Sequence, residues 1–192
     1  SVTARRRVGS TTSATRQRLL DSVEQLMVDQ GYAAVTYRAV AASAGVTAGL
    51  VQYYFPTLDD LLVATVRRRS EQNLDRLRAA LAGDEHPLRV LWDYSNHEAT
   101  AALTIEFMAL ANHRESIRAE IAEMTKQVRK LQFDALAGRT DDGLHLELTP
   151  AAVTFLVNAV PKLLQLETSV GIDAGHAEIV DVIEQLLSAT EP

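Results

Sequence analysis

Between Thr36 and Pro56 the chain starts a helix, stops it and starts another, all within the stretch TYRAVAASAGVTAGLVQYYF. Thr36 can cap the first helix with its hydroxyl. Tyr37 to Ala44 then runs without glycine or proline. Gly45, free to adopt positive φ, ends it. Thr47 is a second N-cap candidate, and a second short helix spans about Ala48 to Phe55, where Pro56 halts it. Val40, Ala44, Val46, Val51 and Tyr54 are the apolar positions that hold the pair together around the small Ala41. Two short helices crossing at a glycine turn are what a helix-turn-helix needs to present one helix to the major groove. A helical hairpin inside an ordinary α bundle has the same pattern, so the stretch alone leaves both readings open.

Charge distribution favours the first. The net charge of −6 argues against a polyanionic partner. Residues 1–56, however, carry six arginines (Arg5, Arg6, Arg7, Arg16, Arg18 and Arg38) against Asp21, Glu24 and Asp29, a local +3 that leaves −9 for the rest. A basic end on an acidic body suits a protein that meets phosphates with one face.

The remaining chain reads as helices. Alanine and leucine recur at helical spacing, and strand-like alternation is absent. Residues 1–13 are expected to be disordered when free, with Arg5, Arg6 and Arg7 forming either a DNA-contacting arm or a solubilising tail. A first helix is expected from about Ala14 to Gln30, striped by Leu19, Leu20, Val23, Leu26 and Met27. A long helix covers about Leu58 to Ala82, and the breaker at Gly83–Pro87 follows. Further helices are expected near Leu88–Asn96, Glu98–Asn112, Ser116–Ala137, Thr149–Val170 and Ala177–Ala189. The whole is an all-α chain of about nine helices, with an N-terminal three-helix domain (1–57) and a C-terminal helical domain (58–192).

From Thr15 to Leu62 the chain resembles the DNA-binding domain of the TetR family of bacterial transcriptional regulators. The resemblance rests on Thr15, Arg16, Leu19, Leu20, Gly31, Tyr32, Thr36, Ala41, Ala44-Gly45-Val46-Thr47, Gly49, Tyr54, Phe55, Leu61 and Leu62. Gln52 stands where the family often has tyrosine, and Leu58 where it often has a lysine that meets a phosphate. The resemblance implies a homodimer built from the last two helices and a small-molecule effector site in the second domain. It thus implies a repressor released from operator DNA by its ligand. A helical protein-interaction module without DNA binding is the alternative.

On this reading the DNA-contacting candidates are Arg5, Arg6, Arg7, Arg16, Thr36, Tyr37, Thr47, Ala48, Gly49, Val51, Gln52, Tyr53 and Tyr54. Gln52 is the base-reading candidate, since its amide can pair bidentately with adenine. The mixed apolar and polar set Trp92, His97, Phe107, Met108, Asn112, Met124, Phe133, Phe155 and Asn158 is the candidate ligand pocket. The second apolar stripe of the last two helices, Phe155, Val160, Leu163, Leu164, Ile179, Ile183, Leu186 and Leu187, is the candidate dimer interface.

No enzyme is expected: the chain lacks cysteine, a glycine-rich phosphate loop and a nucleophile elbow. No cofactor and no metal are expected, because His86, His97, His113, His145 and His176 are scattered with no pair at i, i+4. No apolar run reaches the length of a membrane span, and no apolar signal segment follows the arginines, so a soluble, cytoplasmic protein with no membrane partner is expected.

Overall fold

The computed structural model describes residues 2–100, 102–137 and 148–189, with side chains described from residue 13 onward and not for 98–100. These residues form nine α-helices and no strand. They are α1 (Val2–Gln30), α2 (Tyr37–Ala44), α3 (Ala48–Tyr54), α4 (Leu58–Leu81), α5 (Pro87–Thr100), α6 (Ala102–Ala111), α7 (Glu115–Ala137), α8 (Pro150–Ser169) and α9 (His176–Ser188), with a 3-10 turn at Tyr32–Ala34. No helix among them is long and apolar enough to cross a membrane.

Three boundaries differ from expectation by four residues or more, one of them the start of α6 at Ala102 rather than Glu98. α1 begins at Val2 rather than near Ala14. No proline precedes Ala14, and the single Gly9 costs a helix only about 1 kcal/mol. α5 continues past Asn96 to Thr100, because residues 97–100 contain neither glycine nor proline to end it.

Packing separates two compact units, and they do not divide at residue 57. The first comprises residues 1–70 and 102–122, the second residues 71–101 and 123–192. In the first, Leu19, Leu20, Val23 and Met27 of α1 meet Val40 and Ala41 of α2, Val51 of α3, and Leu61, Leu62 and Val66 of α4. α6 belongs here as well. Its Leu103, Phe107 and Leu110 are buried in this core, because a three-helix motif with so few large residues leaves one face of α1 uncovered. Glu106 of α6 accepts a hydrogen bond from the Tyr32 backbone N–H at 2.8 Å, next to Gly31 at φ 81°.

Charged side chains brace this unit. Arg68 contacts Asp21 at 2.7 Å and Glu24 at 3.2 Å, and Arg67 bonds Glu120 through two nitrogens at 2.9 Å each. Asp59 is held below its ordinary pKa chiefly by the Ser116 hydroxyl at 2.8 Å. Arg114 adds to this, and partial burial opposes it.

The second unit is built on Leu77, Leu88, Val90, Leu91, Trp92, Val157 and Leu187. Thr149 caps α8 by accepting from the Ala152 N–H at 3.2 Å, and Pro150 occupies the first turn, where its missing N–H costs nothing. Within this core Asn158 donates to Gln132 Oε1 and to the Thr154 carbonyl, each at 2.7 Å. At the turn into α9, His176 Nε2 lies 2.7 Å from Glu167.

Candidate nucleic-acid interface

The local chemistry of residues 36–55 fixes both short helices. Thr36 Oγ1 accepts from the Ala39 N–H at 3.1 Å, and Thr47 Oγ1 accepts from the Leu50 N–H at 3.2 Å. Each cap uses only the hydroxyl's oxygen, so the O–H can still donate outward. Gly45 sits at φ 68°, ψ 37°, and the Val46 N–H bonds the Ala41 carbonyl at 3.0 Å while the Gly45 N–H bonds that of Ala42 at 3.4 Å. This pair of bonds is the Schellman closure, which glycine permits without strain.

α3 is then oriented by what it buries. Val51 is fully buried and Phe55 nearly so. On the opposite side Gly49, Gln52 and Tyr53 are exposed, within an arc of roughly 100° at 3.6 residues per turn. Tyr53 is 78% exposed and packs edge-to-face on the half-buried Tyr54, ring centroids 5.5 Å apart. Thr36 and Thr47, at the starts of α2 and α3, are also exposed.

The predicted contact residues therefore divide. Val51 is a core side chain and cannot reach DNA; on so short a helix the inward position is set by packing against α2. The Tyr37 hydroxyl donates to the Phe55 carbonyl at 2.8 Å, and burial together with the Asp60 charge raises its pKa. Its proton is thus spent on the protein's own backbone. Ala48 is half-buried. Arg16 stays exposed, its guanidinium 5.2 Å from the Phe55 ring centre. The side chains of Arg5, Arg6 and Arg7 lie outside the described residues. Arg38, absent from the predicted set, is exposed on α2 two residues past the Thr36 cap; its charge and its place beside the cap were the available signals.

Gly49 separates stability from contact. A Cβ added there meets nothing within 4 Å. Gly49→Ala should therefore stabilise the protein by about 0.5–1 kcal/mol, through backbone entropy. Operator affinity should nevertheless fall if the backbone at Gly49 is a point of approach to DNA. Thermal melts and binding isotherms on one preparation would separate the two effects, and unchanged affinity would place Gly49 off the DNA.

The predicted ligand-pocket set is divided between the units. Phe107 is a core residue of the first unit, and Met108 and Asn112 are exposed there. In the second, Trp92 and Asn158 are buried, Met124 is half-buried, and His97, Phe133 and Phe155 are exposed. The helical pattern could not tell which core each residue joins.

The predicted dimer set also splits. Leu187 is buried, while Val160 and Ile183 pack against the second core. These three face inward within one chain, and Leu186 is half-buried. Leu164 is half-buried. Phe155, Leu163 and Ile179 remain exposed, joined by Leu166, Val170 and Val182, which the prediction omitted.

Residues 19–65 match the family model described as bacterial regulatory proteins, tetR family. The chain is 28% identical over 121 residues to the HTH-type transcriptional regulator BetI of Rhizobium meliloti, covering 60% of this chain and 56% of that protein. It is 42% identical over 69 residues to the HTH-type transcriptional repressor KstR of Mycolicibacterium smegmatis, covering 35% and 34%. The matches thus span about half or less of those relatives.

Among solved structures, a transcriptional regulator from Saccharomonospora viridis in complex with choline has the same fold (TM-score 0.75, 18% identity, 92% of this chain and 94% of that one). So does E. coli NemR in its reduced form (TM-score 0.72, 20% identity, 91% and 94%). At these identities the likeness concerns fold alone. These relatives are named as regulators, and none as an enzyme. Residues 19–65, which hold the capped helix pair, thus match the tetR family of bacterial regulatory proteins, within an all-helical fold.

Proposed function

We propose that this chain is a homodimeric, sequence-specific DNA-binding transcriptional repressor, released from its operator by a small-molecule effector. One observation carries the reading. α3 buries Val51 and holds Gln52 and Tyr53 outward, flanked by exposed cap hydroxyls and by Arg16 and Arg38. That arrangement supplies a base reader at the centre and phosphate donors around it. Thr36, Thr47 and Tyr53 are the hydroxyl donors.

Gln52→Ala should cost about 1–3 kcal/mol of binding on the operator and little on random DNA of the same length. Fluorescence anisotropy at one salt concentration measures both, and equal losses would remove Gln52 from base readout.

The second unit supports the dimer. Phe155, Leu163, Leu166 and Val170 are each more than half exposed, yet they fall within roughly 80° of the α8 circumference. Ile179 and Val182 add a partly exposed apolar pair on α9. A contiguous apolar face of this kind marks an interaction surface. The effector part is supported by the S. viridis regulator of the same fold, which holds choline. An inducer must bind the operator-bound dimer more weakly than the free one, by the same factor by which it weakens operator binding.

A further inference from the structure

A cavity of about 260 Å3 lies among α5, α8 and α9 of the second unit. Leu88 and Trp92 of α5, with Val157 and Leu187, are its buried floor. Leu156, Ile179 and Val182 form its rim and are 37–50% exposed. Among the described residues, every one that lines it is leucine, isoleucine, valine or tryptophan. The buried polar pair of this unit, Gln132 and Asn158, is hydrogen-bonded to itself and does not line the cavity.

We propose that this cavity binds an uncharged, largely aliphatic small molecule, and that it is the effector site of the function proposed above, on which the regulatory half of this inference rests. Charge excludes the other ligand classes. A carboxylate or ammonium group placed here would lose its hydration and gain no hydrogen bond or counter-ion. A quaternary ammonium ligand is held by an aromatic cage, and one tryptophan does not make one. Size bounds the ligand from both sides. An apolar cavity of about 150 Å3 holds benzene, whereas sites for drug-sized ligands begin near 300 Å3. A medium-chain alcohol or ester, or a monocyclic hydrocarbon, lies between. The competing occupant is a side chain from a second copy of this chain, because the rim adjoins the α8–α9 face assigned to the dimer.

The test uses the full chain without DNA and the neutral fluorophore N-phenyl-1-naphthylamine as reporter. 1-Octanol should displace it at a concentration at least about tenfold below that needed with octanoate or choline, the charged ligands being penalised by desolvation. Leu148→Trp and Leu156→Trp, at exposed lining positions outside the face assigned to the dimer and so tolerable to the fold, should each weaken displacement by 1-octanol about tenfold while sedimentation still shows a dimer. Octanoate or choline competing as well as 1-octanol would overturn the ligand class. Unchanged displacement in both variants, or monomeric variants that still bind 1-octanol, would overturn the site and assign the groove to the second copy. 1-Octanol binding that is blocked by the variants yet leaves operator affinity unchanged would keep the site and reject effector release instead.

Discussion

Leu163→Glu combined with Leu166→Glu should make the protein monomeric and lower its operator affinity by about 100-fold or more. Both side chains are more than half exposed in the single chain, so the glutamates meet water there and leave the fold intact. In a dimer closed over the α8 stripe, four carboxylates would be buried without partners, at several kcal/mol each. The monomer then binds one half-site alone and forfeits an avidity of roughly 10²–10⁴. Sedimentation velocity gives the mass and anisotropy the affinity. Val28→Glu, an exposed apolar position on α1, is the control and should alter neither. A doubly substituted protein that remains dimeric would place the interface elsewhere than on the α8 stripe.

Salt should act as strongly. Arg16 and Arg38 are exposed near the capped helices, so a dimer offers four cations from these positions alone. Each phosphate neutralised contributes a slope of about −0.9 in log affinity against log salt, which gives about −3.6 for the four. Raising salt from about 50 to 200 mM then costs roughly 100-fold. Arginines of the segment before Thr15 would steepen the slope. Deleting residues 1–8 should therefore flatten it if Arg5, Arg6 and Arg7 meet DNA, and an unchanged slope would make them a passive tail. A wild-type slope near zero would remove the basic face from DNA binding altogether.

What could be read from the sequence was what is decided locally. Thr36, Gly45, Thr47 and Pro56 act on their nearest neighbours, and the bounds expected for α2 are those observed. Burial is decided across the chain, and there the reading failed in specific ways. Val51 sits between the half-buried Leu50 and the exposed Gln52 on a seven-residue helix, and only packing against the rest of the core distinguishes its side from that of Gln52. Phe107 was indistinguishable in sequence from a pocket aromatic, because the core it joins is built from residues such as Leu19 and Leu61, far away along the chain. On α9, Ile183 and Leu187 turn inward while Val182 turns outward, a distinction that two apolar stripes on one helix conceal. Of the cavity's lining only Trp92 was among the predicted pocket residues: α5 and the consecutive pair α8 and α9 create it, and the rest of its lining reads as ordinary core.

The central claim is that α3 enters the major groove as one of a two-fold pair. Methylation interference on DNA from upstream of the protein's own gene tests this directly, because guanine N7 lies in the major groove and adenine N3 in the minor. Interference is expected at guanine N7 in two half-sites whose centres lie one helical turn, about 34–36 Å, or a multiple of it apart. Gln52→Ala should weaken binding without shifting that spacing. Interference confined to adenine N3, or a single unpaired site, would contradict the claim.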